Sequence, residues 1–340
     1  MIPKNMTIKD IARESGYSVS TVSRVLNNHP DVSEGAKEAV ARVVEQNRFV
    51  LNSMARLLKQ QQSTNILIIV KGTMNIFFTK IVEKMQHLIS VHGYNAVVHY
   101  IDEDDDEVRL AGQLCRERKS LGLIFLGGNI EHFKQGFDQI DQPAVLTTTL
   151  TDELTFDHLS LVGINDADAA QMAIDYLLDH GHRQIGIIGG HTKSSYISKQ
   201  RFTGCRNSFT AHGLDFDASQ YQKANFHLDS AYRAAKELMA RKPDLTALFC
   251  MSDVMAIGAM RALTELGKKI PQDVSVIGFD GIELGRYYNP QLTTIAQPQM
   301  ELAEESVNLL IDHIEQQSKA RTIILNVGLT EGESVRMIEH

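Results

Sequence analysis

The N-terminal stretch of the chain alternates apolar and polar side chains with the three- and four-residue spacing of short amphipathic helices. The pattern predicts a first helix that Thr7 caps and Gly16 ends, followed by a second helix from Ser18 to about Asn27. A third helix would begin after Ser33 and close a small apolar core. Three helices in this order, with a tight glycine turn between the first two, form a helix-turn-helix unit.

From Asn65 onward, apolar runs of strand length alternate with longer amphipathic segments. The run from Ile66 to Val70 is apolar throughout, which is typical of a parallel strand buried on both faces. Similar runs recur as far as residues 274–277. The alternation predicts a doubly wound α/β arrangement made of two similar halves.

Composition narrows the class of protein. The chain has 340 residues, of which 43% are hydrophobic and 22% charged, as in ordinary globular proteins with two or three domains. The sequence has no apolar run of membrane-spanning length and no N-terminal signal-peptide pattern. Cys115, Cys205 and Cys250 are too far apart for a metal-binding spacing or a disulfide framework. We therefore expect a cytoplasmic protein without a membrane partner.

Charge is distributed unevenly along the chain. The net charge is −8, but residues 1–62 contain nine Lys and Arg against six Asp and Glu, which gives this segment +3 and the remainder −11. A locally basic surface is what phosphate binding requires. The hydroxyl side chains at Ser18, Ser20, Thr21 and Ser23 would also let phosphates approach a helix N-terminus. On pattern alone, a helical packing unit without a ligand and a DNA reader both remain open.

The motifs themselves are more specific. The segments TIKDIA, from residue 7, and VSTVSRVLN, from residue 19, resemble the headpiece of the lactose/galactose repressor (LacI/GalR) family of bacterial transcriptional regulators. FVLNSMARLL, from residue 49, resembles the hinge of that family. The resemblance extends over essentially the whole chain. It implies a helix-turn-helix DNA-binding headpiece at 1–49, a hinge helix and linker at 50–62, and an effector-binding and dimerisation domain at 63–340.

The resemblance implies roles for individual headpiece residues. Val19, Ser20 and Arg24 would contact bases, with Val19 limited to apolar contacts such as a thymine methyl group. The positions that match phosphate contacts are Ser18, Thr21, Ser23, Asn27 and Ser33. Tyr17 replaces a small aliphatic residue of the family, and we expect it to pack within the turn.

The implied hinge is a short helix that Asn52 caps. Helix nucleation is costly, so a helix this short should form only when it pairs with a second copy on DNA. Leu58 would act as a wedge in the minor groove, and Ala55 would allow the two helices to approach closely. Leu51 stands where many members of the family have proline, which loosens the approach to the hinge.

The remaining chain resembles the two-lobed, periplasmic-binding-protein-like core of the family. The chain would cross between the lobes near Asn165, Pro298 and Ile323. The N-terminal lobe would comprise about 63–164 and 298–322, and the C-terminal lobe about 165–297 and 323–340. An effector would bind in the cleft between the lobes.

Several motifs of the family mark this cleft. Asn75, Phe77 and Phe78 lie in a loop where Ile76 replaces the usual proline, and we expect one phenylalanine in the pocket and the other in the core. The other implied effector-binding residues are Thr148, Arg201, Phe226, Ser252 and Asp280. A carboxylate, a guanidinium and aromatic faces suit a polyhydroxylated ring. The alternative for the arginine and the aspartate is a salt bridge between the lobes, and we expect Asp253 to cap the helix after it.

Other charged clusters have simpler interpretations. The acidic run DEDDDE at 102–107 lacks the glycine and the spacing of a calcium loop, so we expect a solvated loop. His180 and His182 flank Gly181 at what we interpret as the end of a helix and not a metal site. The sequence contains no nucleophile elbow, phosphate-binding loop, dinucleotide motif or zinc-protease motif. We therefore expect no cofactor, no metal and no enzymatic activity.

Together these patterns predict a ligand-responsive transcriptional repressor that binds a pseudo-palindromic operator in double-stranded DNA as a homodimer. Its effector would be a sugar or a sugar derivative in the cleft. The alternatives are a regulator that responds to a purine or nucleoside, a solute-binding receptor without a DNA role, and a sugar-converting enzyme with an added helical domain.

Overall fold

The computed structural model describes residues 8–26, 32–46, 64–72 and 75–338. The chain divides into two compact units, Met1–Gln62 and Ser63–His340. Within the described residues, no helix is both long enough and apolar enough to cross a membrane.

The N-terminal unit contains the helices α1 (Ile8–Ser15), α2 (Val19–Leu26) and α3 (Glu34–Gln46). Gly16 follows α1 with a φ of +74°, a left-handed conformation that glycine adopts at low cost, and this confirms the predicted end of the first helix. The Ser18 hydroxyl accepts the backbone N–H of Thr21 at 3.1 Å and so caps α2, as predicted.

A small apolar cluster holds these three helices together. Its members are Ile11, Ala12, Val22, Val40 and Val43. Each fully buried valine or isoleucine stabilises the fold by about 1.5–3 kcal/mol relative to an exposed position. Tyr17 packs against the cluster, which confirms the packing role expected for this residue.

The C-terminal unit has two six-stranded sheets among its described residues. Its strands are β1 (Asn65–Lys71), β2 (Asn95–Ile101), β3 (Gly122–Leu126), β4 (Ala144–Thr147), β5 (Leu159–Ile164), β6 (Ile185–Gly189), β7 (Tyr221–Lys223), β8 (Ala247–Cys250), β9 (Ser275–Asp280), β10 (Thr293–Ala296), β11 (Thr322–Leu325) and β12 (Gly328–Thr330). Its helices are α4 (Phe77–Val91), α5 (Glu107–Arg118), α6 (Ile130–Gly136), α7 (Asp166–Asp179), α8 (Tyr196–Ala211), α9 (Leu228–Arg241), α10 (Asp253–Glu265), α11 (Glu283–Tyr287) and α12 (Gln299–Gln316).

The two sheets have the same internal order. The first is β11-β5-β4-β3-β1-β2 and the second is β12-β10-β9-β8-β6-β7, so β4 corresponds to β9. Paired strands are parallel, except that β12 runs antiparallel to β10. This topology confirms the doubly wound α/β prediction. The first sheet and the helices packed on it, including α12, form the first lobe, and the second sheet with its helices forms the second lobe.

The chain passes from lobe to lobe after β5, after β10 and after β11. Ile323, near which we expected the third crossing, instead pairs with Val162 inside the first sheet, so that crossing follows Leu325. The sequence placed it too early because β11 alternates exposed and half-buried positions and lacks the continuous apolar run of the central strands.

The first sheet carries apolar side chains on both faces. Ile66, Ile68 and Val70 belong to one cluster, whereas Leu67 and Ile69 belong to another. Successive side chains of a strand point to opposite faces, so a continuous apolar run supplies both cores at once. This is the physical reason why the run identifies a central strand.

The lobes also share apolar contacts beside the cleft. Val254, Ile257 and Ile282 of the second lobe belong to the same buried cluster as Phe77 and Phe78 of the first lobe. Apolar area removed from water at this junction holds the lobes together at one edge. The cleft lies between them.

Candidate functional site

The exposed side of α2 carries the candidate DNA-reading residues. Val19 is 43% exposed, although a valine ordinarily favours burial, and Arg24 is also exposed. Val22 on the same helix is completely buried, so Val19 and Arg24 project away from the core. The Ser18 hydroxyl lies 2.8 Å from the Thr21 hydroxyl, and Ser33 immediately precedes α3.

Several predicted DNA-binding positions cannot be placed. The side chains of Ser20 and Ser23 lie outside the described part of the structure, as do all atoms of Asn27. All atoms of the hinge positions Leu51, Asn52, Ala55 and Leu58 also lie outside the described part of the structure. These assignments stay predictions that rest on the resemblance.

A cleft of about 530 Å³ lies between the lobes of the C-terminal unit. This volume is within the range of pockets for small molecules. The predicted effector-binding residues that line it are Asn75, Phe77, Phe78, Thr148, Arg201, Phe226 and Asp280.

Three expectations about the cleft and the helix beside it differ from the structure. Phe77 and Phe78 both line the cleft and both belong to the apolar cluster, because they occupy the first turn of α4 where core and cleft meet. Ser252 is not among the described lining residues. Its hydroxyl accepts the backbone N–H of Met255 at 3.1 Å, so Ser252 and not Asp253 caps α10.

Arg201 is the centre of a buried ion cluster. Its Nε donates to Asp166 Oδ1 at 2.8 Å, and its Nη1 donates to the Met251 carbonyl at 2.5 Å and lies 4.0 Å from Asp280 Oδ1. The guanidinium also stacks on the Phe279 ring, 3.7 Å from its centroid. Each partner belongs to the second lobe, so these residues form a cluster within one lobe and not the salt bridge between lobes that was the alternative interpretation.

Asp280 ends β9 and turns into the cleft. Gln297 Nε2 donates to its Oδ1 at 2.8 Å. Burial raises the pKa of Asp280 to about 7, and Asp166 adds to the rise, whereas Arg201 and Gln297 oppose it. Burial also raises the pKa of Asp166, against the opposing effect of Arg201.

Asp253 lies behind this cluster and has a structural position. Its carboxylate accepts the backbone N–H of Ile282 at 2.7 Å and the Thr294 hydroxyl at 2.6 Å. Burial, and then the neighbouring carboxyl of Asp280, raise its pKa well above the ordinary value. The residue fixes the turn after β9 and thereby the direction of Asp280.

Thr148 occupies the position after β4 that corresponds to Asp280 at the end of β9. Both residues have positive φ, +73° for Thr148 and +115° for Asp280. The Thr148 hydroxyl is buried and has no hydrogen-bond partner among the described residues. Leaving a buried hydroxyl unpaired costs about 1–3 kcal/mol, so a ligand oxygen at this point would remove the cost.

The side of the cleft that belongs to the first lobe, here called the first-lobe wall, carries charged residues that sequence reasoning missed. Lys71, Asn129 and His132 line the cleft, and Glu107 lies completely buried behind them. The acidic run at 102–107 is therefore not simply a solvated loop, because Glu107 is in the core and Asp106 caps α5 through the N–H groups of Val108 and Arg109. The sequence signal that could have identified this helix start is Asp106, followed by apolar residues at helical spacing.

Asp106, Glu107 and His132 place ligand atoms within 4.8 Å of one another, a spacing compatible with a metal ion. The ammonium group of Lys71, however, lies 2.6 Å from Glu107 Oε2. The Asp106 carboxylate is also occupied by capping α5. We therefore interpret these residues as an ion-pair network.

The helix end predicted at Gly181, between two histidines, is confirmed. Gly181 has a φ of +85° after α7, which ends the helix. His182 is buried, with Nδ1 at 3.0 Å from the Thr246 hydroxyl and Nε2 at 3.1 Å from the Arg336 carbonyl. Burial lowers the pKa of His182 to about 4, so the ring stays neutral at physiological pH.

Comparison with known proteins relates both units to one group of regulators. Residues 7–52 match the family described as bacterial regulatory proteins, lacI family, and residues 174–335 match a periplasmic binding protein-like domain. The HTH-type transcriptional regulator MalR of Clostridium butyricum is 34% identical over 97% of this chain and 99% of its own length. The ribose operon repressor of Haemophilus influenzae is 31% identical over 97% and 98%.

Solved structures show the same architecture. The complex of the transcriptional regulator CelR with cellobiose is similar with a TM-score of 0.73 and 26% identity, over 97% of this chain and 99% of that one. The lac repressor dimer bound to operator and the anti-inducer ONPF has a TM-score of 0.71 and 24% identity, over 98% and 100%. The second likeness concerns the fold alone.

Proposed function

Because this chain belongs to the lacI family of bacterial regulatory proteins, it is a DNA-binding transcriptional regulator, and we propose that a small hydroxyl-rich effector in its cleft controls repression. A homodimer would bind a pseudo-palindromic operator, with one α2 helix in the major groove of each half-site. Such a protein works in the cytoplasm, and the proposal involves no enzymatic turnover.

The exposed face of α2 supports the DNA-reading part of the proposal. Arg24 and Val19 project from the helix on the side away from the buried Val22. A guanidinium can form a bidentate contact with guanine, and an exposed valine matches a thymine methyl group. Ser20 would complete the base contacts, and the phosphate contacts would come from Ser18, Thr21, Ser23, Asn27 and Ser33.

The buried cluster of Arg201, Asp166 and Asp280 is the observation that carries the effector part. It places a rigid guanidinium and a cleft-facing carboxylate at the carboxyl ends of parallel strands, where ligands of α/β folds bind. Aromatic rings of Phe77, Phe78 and Phe226 line the same cleft. Carboxylate acceptors beside aromatic faces suit a carbohydrate, whose hydroxyl groups donate and whose C–H faces are apolar.

Coupling between the cleft and DNA would run through the hinge. Paired helices around Asn52, Ala55 and Leu58 would insert into the minor groove and bend the operator. An effector can shift this equilibrium only by binding the DNA-competent and DNA-incompetent states with different affinities.

The DNA-reading proposal is tested by selecting duplexes from a random pool and measuring their binding by fluorescence anisotropy. Palindromic duplexes should be enriched, because a two-fold dimer reads two equivalent half-sites. The Arg24→Ala substitution should weaken binding to the selected duplex by about 1–3 kcal/mol.

The matched control is Arg42→Ala, which removes an exposed arginine from α3 and not from α2. Its effect should be small and similar for selected and random duplexes. Equal losses in the two variants, or the absence of any enriched palindrome, would contradict the assignment of α2 as the reading helix.

A further inference from the structure

We infer that Lys71 and His132 of the first lobe bind hydroxyl groups of the effector while buried Glu107 positions them, and that this arrangement selects an uncharged molecule over its phosphate ester. The inference rests on the proposed function and specifies the ligand of the same cleft. It concerns residues that the sequence motifs did not identify.

Glu107 organises the first-lobe wall through three neighbours. Its Oε2 lies 2.6 Å from Lys71 Nζ and 2.8 Å from His132 Nδ1, and its Oε1 accepts the backbone N–H of Asn129. The Glu107 side chain is 0% exposed and that of Lys71 is 12% exposed. A buried carboxylate in this environment needs such partners, because its desolvation is not otherwise compensated.

The wall offers complementary groups to a hydroxyl. An ammonium has three N–H donors. Among the described residues, Lys71 directs two of them, to Glu107 and to the Asp105 carbonyl, which leaves one donor. In the His132 tautomer whose Nδ1–H donates to Glu107, Nε2 can accept a hydrogen bond. A hydroxyl can satisfy both at once, since its oxygen accepts from lysine and its hydrogen donates to histidine. A phosphate oxygen can only accept.

Charge balance in the cleft disfavours an anion. Among the described lining residues, the lysine and arginine side chains are Lys71 and Arg201, and each is already paired with a buried carboxylate. Glu103 and Asp104 add two further carboxylates to the lining. Within the described part of the lining, a phosphate ester would meet no lysine or arginine that lacks a counter-charge, so its own desolvation would be poorly compensated.

Calorimetry on the full-length protein tests the inference with four matched pairs. The probes are ribose, glucose, maltose and cellobiose, each compared with its terminal phosphate ester. We expect at least one uncharged sugar to bind about tenfold or more tightly than its ester. An ester that binds more tightly than its parent sugar would overturn the inference. If that ester also changes operator binding, the proposed function of the protein as an effector-controlled regulator survives.

The Glu107→Gln substitution isolates the role of the buried charge. Glutamine keeps the hydrogen-bonding shape but leaves Lys71 without a counter-charge, so affinity for the ester of the best sugar should rise by about tenfold. A purely structural role would instead weaken the sugar and its ester equally. The control is Glu131→Gln on α6, whose carboxylate is 62% exposed and paired with Lys134, and which should change neither affinity.

His132→Ala gives a second measurement that does not remove the buried charge. The His132 side chain is 22% exposed, and its loss should weaken the best sugar by about tenfold. Unchanged sugar affinity would refute the contact assigned to this ring. If no sugar or ester binds while a free purine base, which has no sugar hydroxyls, alters operator binding, the carbohydrate part of the proposed function fails and this inference fails with it.

Discussion

Two residues in the cleft adopt backbone conformations that side-chain-bearing residues rarely occupy. Thr148 and Asp280 have φ values of +73° and +115°, and they stand at equivalent places in the two sheets. Such conformations cost about 1–3 kcal/mol each and persist where the surrounding structure imposes them. Here they turn a hydroxyl and a carboxylate into the cleft from opposite lobes, which relates the strain to ligand binding.

Asp280 should make stability depend on pH. Burial raises its pKa from the ordinary 3.8 to about 7, so the folded state holds a proton that the unfolded state has already released. The stabilising contribution of Asp280 to the free energy of unfolding is therefore fully present below about pH 4. It is lost as the pH rises towards about 7, and it stays lost above that pH. Asp280→Asn has no such loss, so the variant should gain stability relative to the wild type between pH 5 and pH 8.

Urea denaturation followed by circular dichroism would measure this difference. Asp215→Asn, which alters an exposed aspartate of the same lobe, is the control and should follow the wild type at each pH. A constant offset between Asp280→Asn and the wild type from pH 5 to pH 8 would show that the aspartate does not titrate in this window. Above about pH 7, where the Asp280 carboxylate of the wild type is ionised, Asp280→Asn should weaken sugar binding because that acceptor is gone.

At the scale of elements, the spacing between Arg201 and Gly204 on α8 has a physical explanation. A Cβ at Gly204 would lie 1.9 Å from the backbone oxygen of Ala167, so α8 can approach α7 only with glycine at this position. Three residues earlier on the same face, Arg201 reaches Asp166 at the start of α7. Gly204 allows the short distance between the helices, and at this distance Arg201 can reach Asp166.

Gly204→Ala should therefore separate α7 from α8 and displace the guanidinium from Asp166. We expect a loss of about 1–3 kcal/mol in unfolding free energy, together with weaker effector binding. Gly112→Ala is the matched control, because a Cβ there meets only Arg116 and Ile140 at 3.6 and 3.9 Å inside α5. That substitution should stabilise the protein by about 0.5–1 kcal/mol. Equal effects of the two changes in thermal unfolding would refute the packing argument.

Patterns in the sequence predicted elements better than contacts between them. Apolar runs such as Ile66–Val70 identify central strands because the same residues fill the cores on both faces of a sheet. Strand β11 was misjudged because it lies at an edge and is half exposed. The period of the apolar residues along a strand reflects which positions are buried. A strand at the edge of a sheet has few fully buried positions, so its pattern is weak.

The cleft residues show the same difference between local patterns and contacts that are distant along the chain. Arg201 and Asp280 could be predicted because each belongs to a local motif with a recognisable spacing. Asp166, Lys71 and Glu107 could not, since their partners are distant along the chain and no periodic pattern joins them. Ser252 was assigned to the ligand for the opposite reason, because a helix cap and a ligand contact need the same hydroxyl.

For the whole molecule, cleft and headpiece should be separable in function although they are coupled in energy. Arg24→Ala removes a DNA contact and should leave effector affinity unchanged, whereas Asp280→Asn should leave operator binding intact and abolish the response to effector. Leu58→Ala, in the proposed hinge, should instead weaken operator binding and reduce the coupling itself, because the proposed minor-groove wedge would form only on DNA.

Coupling of this kind must be reciprocal. If effector changes operator affinity by a given factor, operator must change effector affinity by the same factor, about 5–150-fold for a typical coupling of 1–3 kcal/mol. Anisotropy titrations with and without saturating effector give the first factor, and calorimetry with and without operator duplex gives the second. The two should agree in the wild type and both approach one in Asp280→Asn. A coupling factor in Asp280→Asn as large as that of the wild type would mean that the ligand acts outside the cleft, and allosteric control from the cleft would then be wrong.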